Sequence, residues 1–313
     1  MADRETLGGK KGSGIADITR RRAVAATLGS AALLLTAERP GIAAPKRGGA
    51  LAPPDDPRLV RLTSVVTPED GGLYGVLLPD FTAQTGFRVS LATSEAVFAP
   101  ARAGKADVVL CHYGHTDLKS FMQDDLGEWP QAAFFNLLAL IGPAADPAGI
   151  AKSADLVTAF RRLAETRMPF IVDDADGIKY LCNFLWEAAG RPAKGAWYVD
   201  EQARGPGAVA LAAEKGGYTI WGLTPFLRMR GGRPSAMAPL VFGDPLTQRI
   251  MVTIAVRADA VPGINVEGVK AFQEYLLAPR TQALIHNFRL PGIERQVWYP
   301  AGRNNSGELL GGN

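Results

Sequence analysis

Leu59–Thr93 reads LVRLTSVVTPEDGGLYGVLLPDFTAQTGFRVSLAT. Its first part, Val60–Val66, is a β-type run. A turn is expected at Pro68-Glu69-Asp70-Gly71-Gly72. An amphipathic helix then runs from about Leu73 to Thr85, and Gly86 stops it. Phe87–Ala92 makes a second strand and Ala106–Leu110 a third. Strand–helix–strand alternation predicts a parallel sheet flanked by helices, an α/β fold.

The pattern continues outward from there. Leu137–Ile141 is an apolar strand ended by Gly142-Pro143. Helices are expected at 155–167 and 176–190, a late strand at Val252–Val256, and late helices at Val266–Leu277 and Arg280–Asn287. Residues 45–57 are rich in Pro, Gly and Asp and read as a linker.

The N-terminus reads as an export segment. Thr19-Arg20-Arg21-Arg22 precedes an uncharged, Ala-rich apolar run from Ala23 to Ala37. A polar leader, an arginine pair and a weakly hydrophobic run form a twin-arginine signal, and cleavage is expected after Ala44 or Ala50. The destination implied is the periplasm. Removing about 50 residues from a chain of 313 leaves roughly 260, which suits two lobes of about 100–150 residues each. The formal charge of +3 includes Lys10, Lys11, Arg20, Arg21 and Arg22, so the remainder is near neutral. It holds no basic run suited to nucleic acid. It also holds no apolar stretch of about 18 residues, the length a stable membrane span needs.

Several strings, in order, resemble the periplasmic tungstate-binding proteins of ABC importers, a family within the type II binding-protein superfamily. They are Leu77-Leu78-Pro79-Asp80-Phe81 with Thr85-Gly86, Ala106-Asp107-Val108-Val109-Leu110 with His112, and Ile141-Gly142-Pro143 with Asp146-Pro147-Ala148-Gly149-Ile150. Pro169-Phe170, Trp186-Glu187-Ala188-Ala189-Gly190, Trp197-Tyr198, Glu214-Lys215-Gly216-Gly217-Tyr218-Thr219, Gly243-Asp244-Pro245 and Ile254-Ala255-Val256 continue the series. The resemblance implies a two-lobed Venus flytrap, each lobe a mainly parallel sheet flanked by helices. Lobe one would be 59–135 with 252–300 and lobe two 137–250, with crossovers near Asn136 and Met251. It implies a small-molecule ligand held between the lobes, an ABC permease as partner and no cofactor. Ligands in open α/β sheets bind at strand C-termini and helix N-termini, where backbone N–H groups converge.

The expected ligand loops depart from that family. Its first oxyanion loop, Thr-Thr-Thr-Ser, falls on Ser64-Val65-Val66-Thr67. The second, Gly-Thr-Gly-Lys, falls on Ala92-Thr93-Ser94-Glu95, so an acid replaces a lysine. The third, Ser-Arg-Gly-Asp-Asp-Ser-Gly-Thr, falls on Ile171-Val172-Asp173-Asp174-Ala175-Asp176-Gly177-Ile178. A further family arginine falls on Leu223, beside Trp221. A buried dianion needs charge-assisted donors, so these exchanges argue against a bare oxyanion. Asp173, Asp174 and Asp176 also sit where a helix begins, and Asp favours the cap. Arg204 with Gly205-Pro206-Gly207 is expected at a second helix start, able to supply one positive charge.

Cys111, His112 and His115 form a weak candidate for a soft metal. Cys111 and Cys182, the two cysteines, would fall in different lobes, so a disulfide between them is not expected. No Gly-X-Ser-X-Gly elbow, His-Glu-X-X-His pair or P-loop occurs, and three histidines offer little choice of general base. A binding protein is therefore expected, not an enzyme. The alternative is a sensor or redox accessory subunit built on the same fold.

Overall fold

The computed structural model describes residues 56–301 except Gly232 and Pro234. The expected export segment and its cleavage sites lie outside the described residues, as does most of the linker.

The first half of the chain forms β1 (Leu59–Ser64), a single turn α1 (Thr67–Asp70), α2 (Tyr74–Thr85), β2 (Arg88–Thr93), α3 (Phe98–Arg102), β3 (Val108–His112), α4 (Thr116–Gln123) and β4 (Gln131–Pro143). There follow α5 (Leu156–Thr166), β5 (Phe170–Ile171), α6 (Asp176–Ala188), β6 (Tyr198–Val199), α7 (Pro206–Glu214), β7 (Tyr218–Gly222), α8 (Leu223–Arg230) and β8 (Met237–Val241). The chain closes with β9 (Gln248–Ala255), α9 (Val266–Leu277), α10 (Pro279–Asn287) and β10 (Tyr299–Pro300).

β1 is nearly all buried because it is a central strand, paired in parallel with β2 on one side and β3 on the other. Even Arg61 is buried there, with its guanidinium on Asp107 and on the carbonyls of Gly104 and Gly263. This pairing satisfies both charges inside lobe one. The expected turn at 68–72 is partly helical: Pro68 opens α1, and Glu69 and Asp70 favour its positive N-terminal end.

Strand β4 joins the lobes. Its first half, Gln131–Leu137, pairs antiparallel with β9, and its second half, Leu138–Pro143, pairs antiparallel with β7 and β8. Lobe one therefore holds the parallel set β2-β1-β3 extended by β9, and lobe two the parallel set β7-β5-β6. Each lobe has its own apolar cluster, one including Val60, Phe81, Phe272 and Trp298, the other Leu140, Phe160, Phe170 and Leu185. A third cluster, including Phe135, Ile171, Leu223 and Phe226, follows β4 through the crossing and packs on α7 and α8 of lobe two. β9 begins at Gln248, ahead of the expected Val252, and lies wholly in the lobe-one sheet.

Among the described residues, no helix is long and apolar enough to cross a membrane. Cys111 and Cys182 are buried free thiols in separate clusters, and burial pushes both up to about 12.

Candidate functional site

The polar groups expected to greet a ligand are already engaged by the protein's own side chains. Ser64, at the end of β1, is fully enclosed; its hydroxyl donates to Val65 O at 2.9 Å and lies 2.6 Å from the Tyr74 hydroxyl. Burial raises the Tyr74 hydroxyl far above its ordinary range, so it remains a neutral donor. Val65 is core, and its amide bonds to Leu110 O. Val66 caps α1 without a side-chain bond, and Thr67 is its half-buried first residue. Thr93 ends β2 and donates to Glu69 Oε2 at 2.6 Å. Ser94 and Glu95 are exposed beside it. His115 Nδ1 accepts from the Asp117 amide, so Nε2 carries the proton and donates to Glu95 O at 3.1 Å. That bond ties the Glu95 loop to the start of α4.

Lobe two repeats this theme with a carboxylate. Asp173 follows β5 and is fully buried. Its Oδ1 accepts the Ala175 N–H and its Oδ2 the Gly205 N–H, both at 2.9 Å. Ala175 caps α6 and Gly205 caps α7, so one internal carboxylate occupies the amides at two helix N-termini. Burial raises the Asp173 carboxyl above its ordinary range, while those amides and Arg204 pull it back down. Gly205 has φ +50°, and a Cβ there would lie 3.2 Å from Trp221 Nε1, so both backbone and space call for glycine. Gly207 stands in the first turn of α7, where a Cβ would meet open space. Asp174 is bound by Lys179 Nζ at 2.6 Å and Arg204 Nη2 at 3.0 Å, and these hold its carboxyl below the usual range. Arg204 is thus exposed and already paired. Asp176 is the first residue of α6.

Two expectations are corrected. Val172 does not line the cleft: it is fully buried in the lobe-two cluster, with its amide bonded to Val199 O, as are Ile178 in that cluster and Leu223 in the crossing cluster. Cys111, His112 and His115 do not converge, because Cys111 and His112 are adjacent on a strand and point to opposite faces, while His115 caps α4. Among the described residues no group of three or more His, Cys, Asp or Glu side chains could hold a metal ion. A surface cavity of about 260 Å³, lined by Arg161, Glu165, Arg167 and Trp197 among others, contains none of the expected site residues.

One residue absent from the sequence reading stands between the lobes. Arg249 is on β9, opposite Asn136. Its guanidinium reaches the first turn of α6, where a Cβ on Gly177 would lie 3.2 Å from Nη1. Burial lowers the Arg249 guanidinium, and the charges of Glu95 in lobe one and Asp173 in lobe two raise it again. His112 pairs with Met251, two residues on, so His112 and Arg249 lie diagonally on one sheet face. Burial, Arg249 and His115 hold His112 neutral, and its buried Nδ1 has no partner among the described residues. The signal for Arg249 was a lone cation heading the apolar run Ile250–Val256, obscured because the strand was expected to begin later.

Two lobes joined by one shared strand, with polar groups gathered at strand ends and helix starts between them, define a type II periplasmic binding protein. No family model matches the chain. It is 30% identical over 234 residues to the tungstate-binding protein TupA of Peptoclostridium acidaminophilum, covering 72% of this chain and 80% of that one. In structure it resembles the tungstate-binding protein TupA from Desulfovibrio alaskensis G20, with a TM-score of 0.70 and 24% identity over 78% of this chain and 99% of that one. It also resembles the tungstate ABC transporter structure from Geobacter sulfurreducens, with a TM-score of 0.62 and 25% identity over 74% of this chain and 98% of that one. The chain belongs to the tungstate-binding protein (TupA) family. Its named relatives are binding proteins, not enzymes.

Proposed function

We propose that this chain is the extracytoplasmic solute-binding component of an ABC importer, and that its ligand is a small neutral or zwitterionic organic molecule, not tungstate or molybdate. The protein would be exported through its twin-arginine signal and would close lobe one on lobe two, with β9 from Gln248 onward belonging to lobe one. The observation that carries the ligand reading is the Asp173 carboxylate on the Ala175 and Gly205 amides. Those two N–H groups head α6 and α7, where an oxyanion would bind. Asp173 takes them first and adds a negative charge. Glu69 does the same to the Thr93 hydroxyl. A dianion would have to displace both acids or sit beside them, and each forfeited charge-assisted bond costs roughly 1.5–3 kcal/mol. Two or three such losses weaken binding by several powers of ten. Half-buried Val66 and Trp221, together with a few placed polar groups, suit an organic ligand better. Calorimetry with tungstate, molybdate, sulfate and phosphate tests the reading. None should bind below the micromolar range; submicromolar binding of any one would overturn it.

A further inference from the structure

Arg249 offers more than a charge in the cleft. Among the described residues it makes no hydrogen bond and no carboxylate lies within ion-pair distance, although Glu95 and Asp173 act on it through space. Its fork lies against the first turn of α6, in room left by the missing side chain of Gly177. His112, with its orphaned Nδ1, shares its sheet face. The acids nearby are not equivalent. Asp173 is buried and spent on two amides. Glu95 is exposed, and among the described residues only its backbone carbonyl is used, by His115. Among the described residues the cleft therefore presents an unengaged cation, rooted in lobe one with its fork against α6 of lobe two, and an unengaged carboxylate on the lobe-one side.

We infer that Arg249 anchors the carboxylate of a small zwitterion, of the amino-acid or betaine class, whose cationic group faces Glu95. The inference rests on the solute-binding reading above and names the ligand class for that site. A guanidinium matches a carboxylate bidentately, and Arg is favoured where such planar recognition is needed. The amides of the first turn of α6 add a favourable dipole to the same end of the ligand. A dianion would gain Arg249 but meet Glu95 and Asp173, whereas a zwitterion sets its carboxylate on Arg249 and its cation by Glu95 and leaves no excess. Closure of the lobes would bring Glu95 and α6 onto the same molecule, so neither half of the ligand alone should suffice.

The test uses the protein without its export segment. Thermal shift and calorimetry would compare glycine, L-alanine, L-glutamine and glycine betaine with acetate, ethylammonium, sulfate and tungstate. At least one zwitterion should stabilise the protein, while acetate and ethylammonium should not. Arg249→Gln should weaken that zwitterion by at least about 30-fold, as expected for losing a hydrogen-bonded charge. Arg249→Lys should fall between, since it keeps the charge and loses the fork, and it serves as the second variant should Arg249→Gln fold poorly. Glu95→Gln should weaken the zwitterion as well. Four results would overturn the inference: no stabilisation by any zwitterion, equal zwitterion affinity in wild type and both Arg249 variants, unchanged affinity in Glu95→Gln, or tungstate binding that depends on Arg249. Scattering separates the two readings. A bound probe that compacts the protein without needing Arg249 removes the anchor and keeps the receptor; a bound probe that leaves the radius unchanged removes the receptor itself.

Discussion

A single carboxylate, Asp173, sets the chemistry at two helix starts of lobe two. The family resemblance places a glycine there, and this chain places a carboxylate that binds the amides of Ala175 and Gly205. Asp173→Gly removes the internal acceptor and frees two helix-head amides. It should lower ligand-free stability by about 1–3 kcal/mol, because buried donors lose their partner. Sulfate or tungstate at millimolar concentration should then restore part of the loss in a thermal melt, and an anion effect no larger than in wild type would show that the amides do not form an anion site. The same residue makes a pH prediction. Burial raises its folded carboxyl above the ordinary 3.8. A raised acid holds its proton better when folded, so its stabilising contribution is full below the unfolded value and is lost as pH rises through the folded one. Wild type should therefore gain stability relative to Asp173→Asn as pH falls from about 7 to about 4. A difference that stays flat, or shrinks on acidification, would mean the two amides outweigh burial.

At the scale of elements, β4 sets the geometry on which both lobes depend. Gly142, near its end, lies under the Tyr218 ring, and a Cβ there would come within 2.2 Å of Cδ1. The Tyr218 hydroxyl in turn accepts the Ala148 amide at 2.9 Å and donates to Asp146 at 3.1 Å, so the ring is not free to swing away. Gly142→Ala should cost about 1–3 kcal/mol through this overpacking, read as a lower midpoint in denaturant; an unchanged midpoint would show that the ring yields. Elements with strong local signals were legible in the sequence: β1, α2 up to Gly86, β2, α5 and α9 sit where periodicity and stop signals place them. Short or composite elements were not. β5 and β6 have two residues each, too few for alternation to register. β4 runs 13 residues because its two halves serve different sheets, and only the apolar second half stands out. The site was half legible for the same reason. Asp173 was readable as an acid at a helix start and Gly205 through the family resemblance, whereas Val172 goes to the core, its amide bonded to Val199, and Arg249 escaped because β9 starts earlier than its apolar run.

The whole molecule turns on how freely the lobes move about their shared strand. Lobes one and two carry separate apolar clusters, so each can hold its own fold while the angle between them changes. Helix α8 opposes that freedom. Its Leu227 packs against both the lobe-one cluster and the crossing cluster, and its Thr224 hydroxyl donates to Val297 O at 3.2 Å. Its Arg228 reaches Asp70 of α1 at 3.1 Å, the one ion pair among the described residues that joins the two lobes. Both partners are substantially exposed, so the pair is worth about 0.2–1 kcal/mol, and removing it shifts an open–closed ratio by no more than about fivefold. That is small against folding stability but measurable in a hinge. Arg228→Ala and Asp70→Ala should each enlarge the ligand-free radius of gyration, or lower transfer between dyes placed on the two lobes. The double variant should match either single one, since the charges act as a pair. Salt at 1 M should bring wild type to the same value, because the Debye length falls to about 3 Å. Saturating ligand should compact wild type and variants alike, with somewhat weaker affinity in the variants. Single variants whose effects simply add would show that Arg228 and Asp70 act separately, and that the packing of Leu227 governs the hinge.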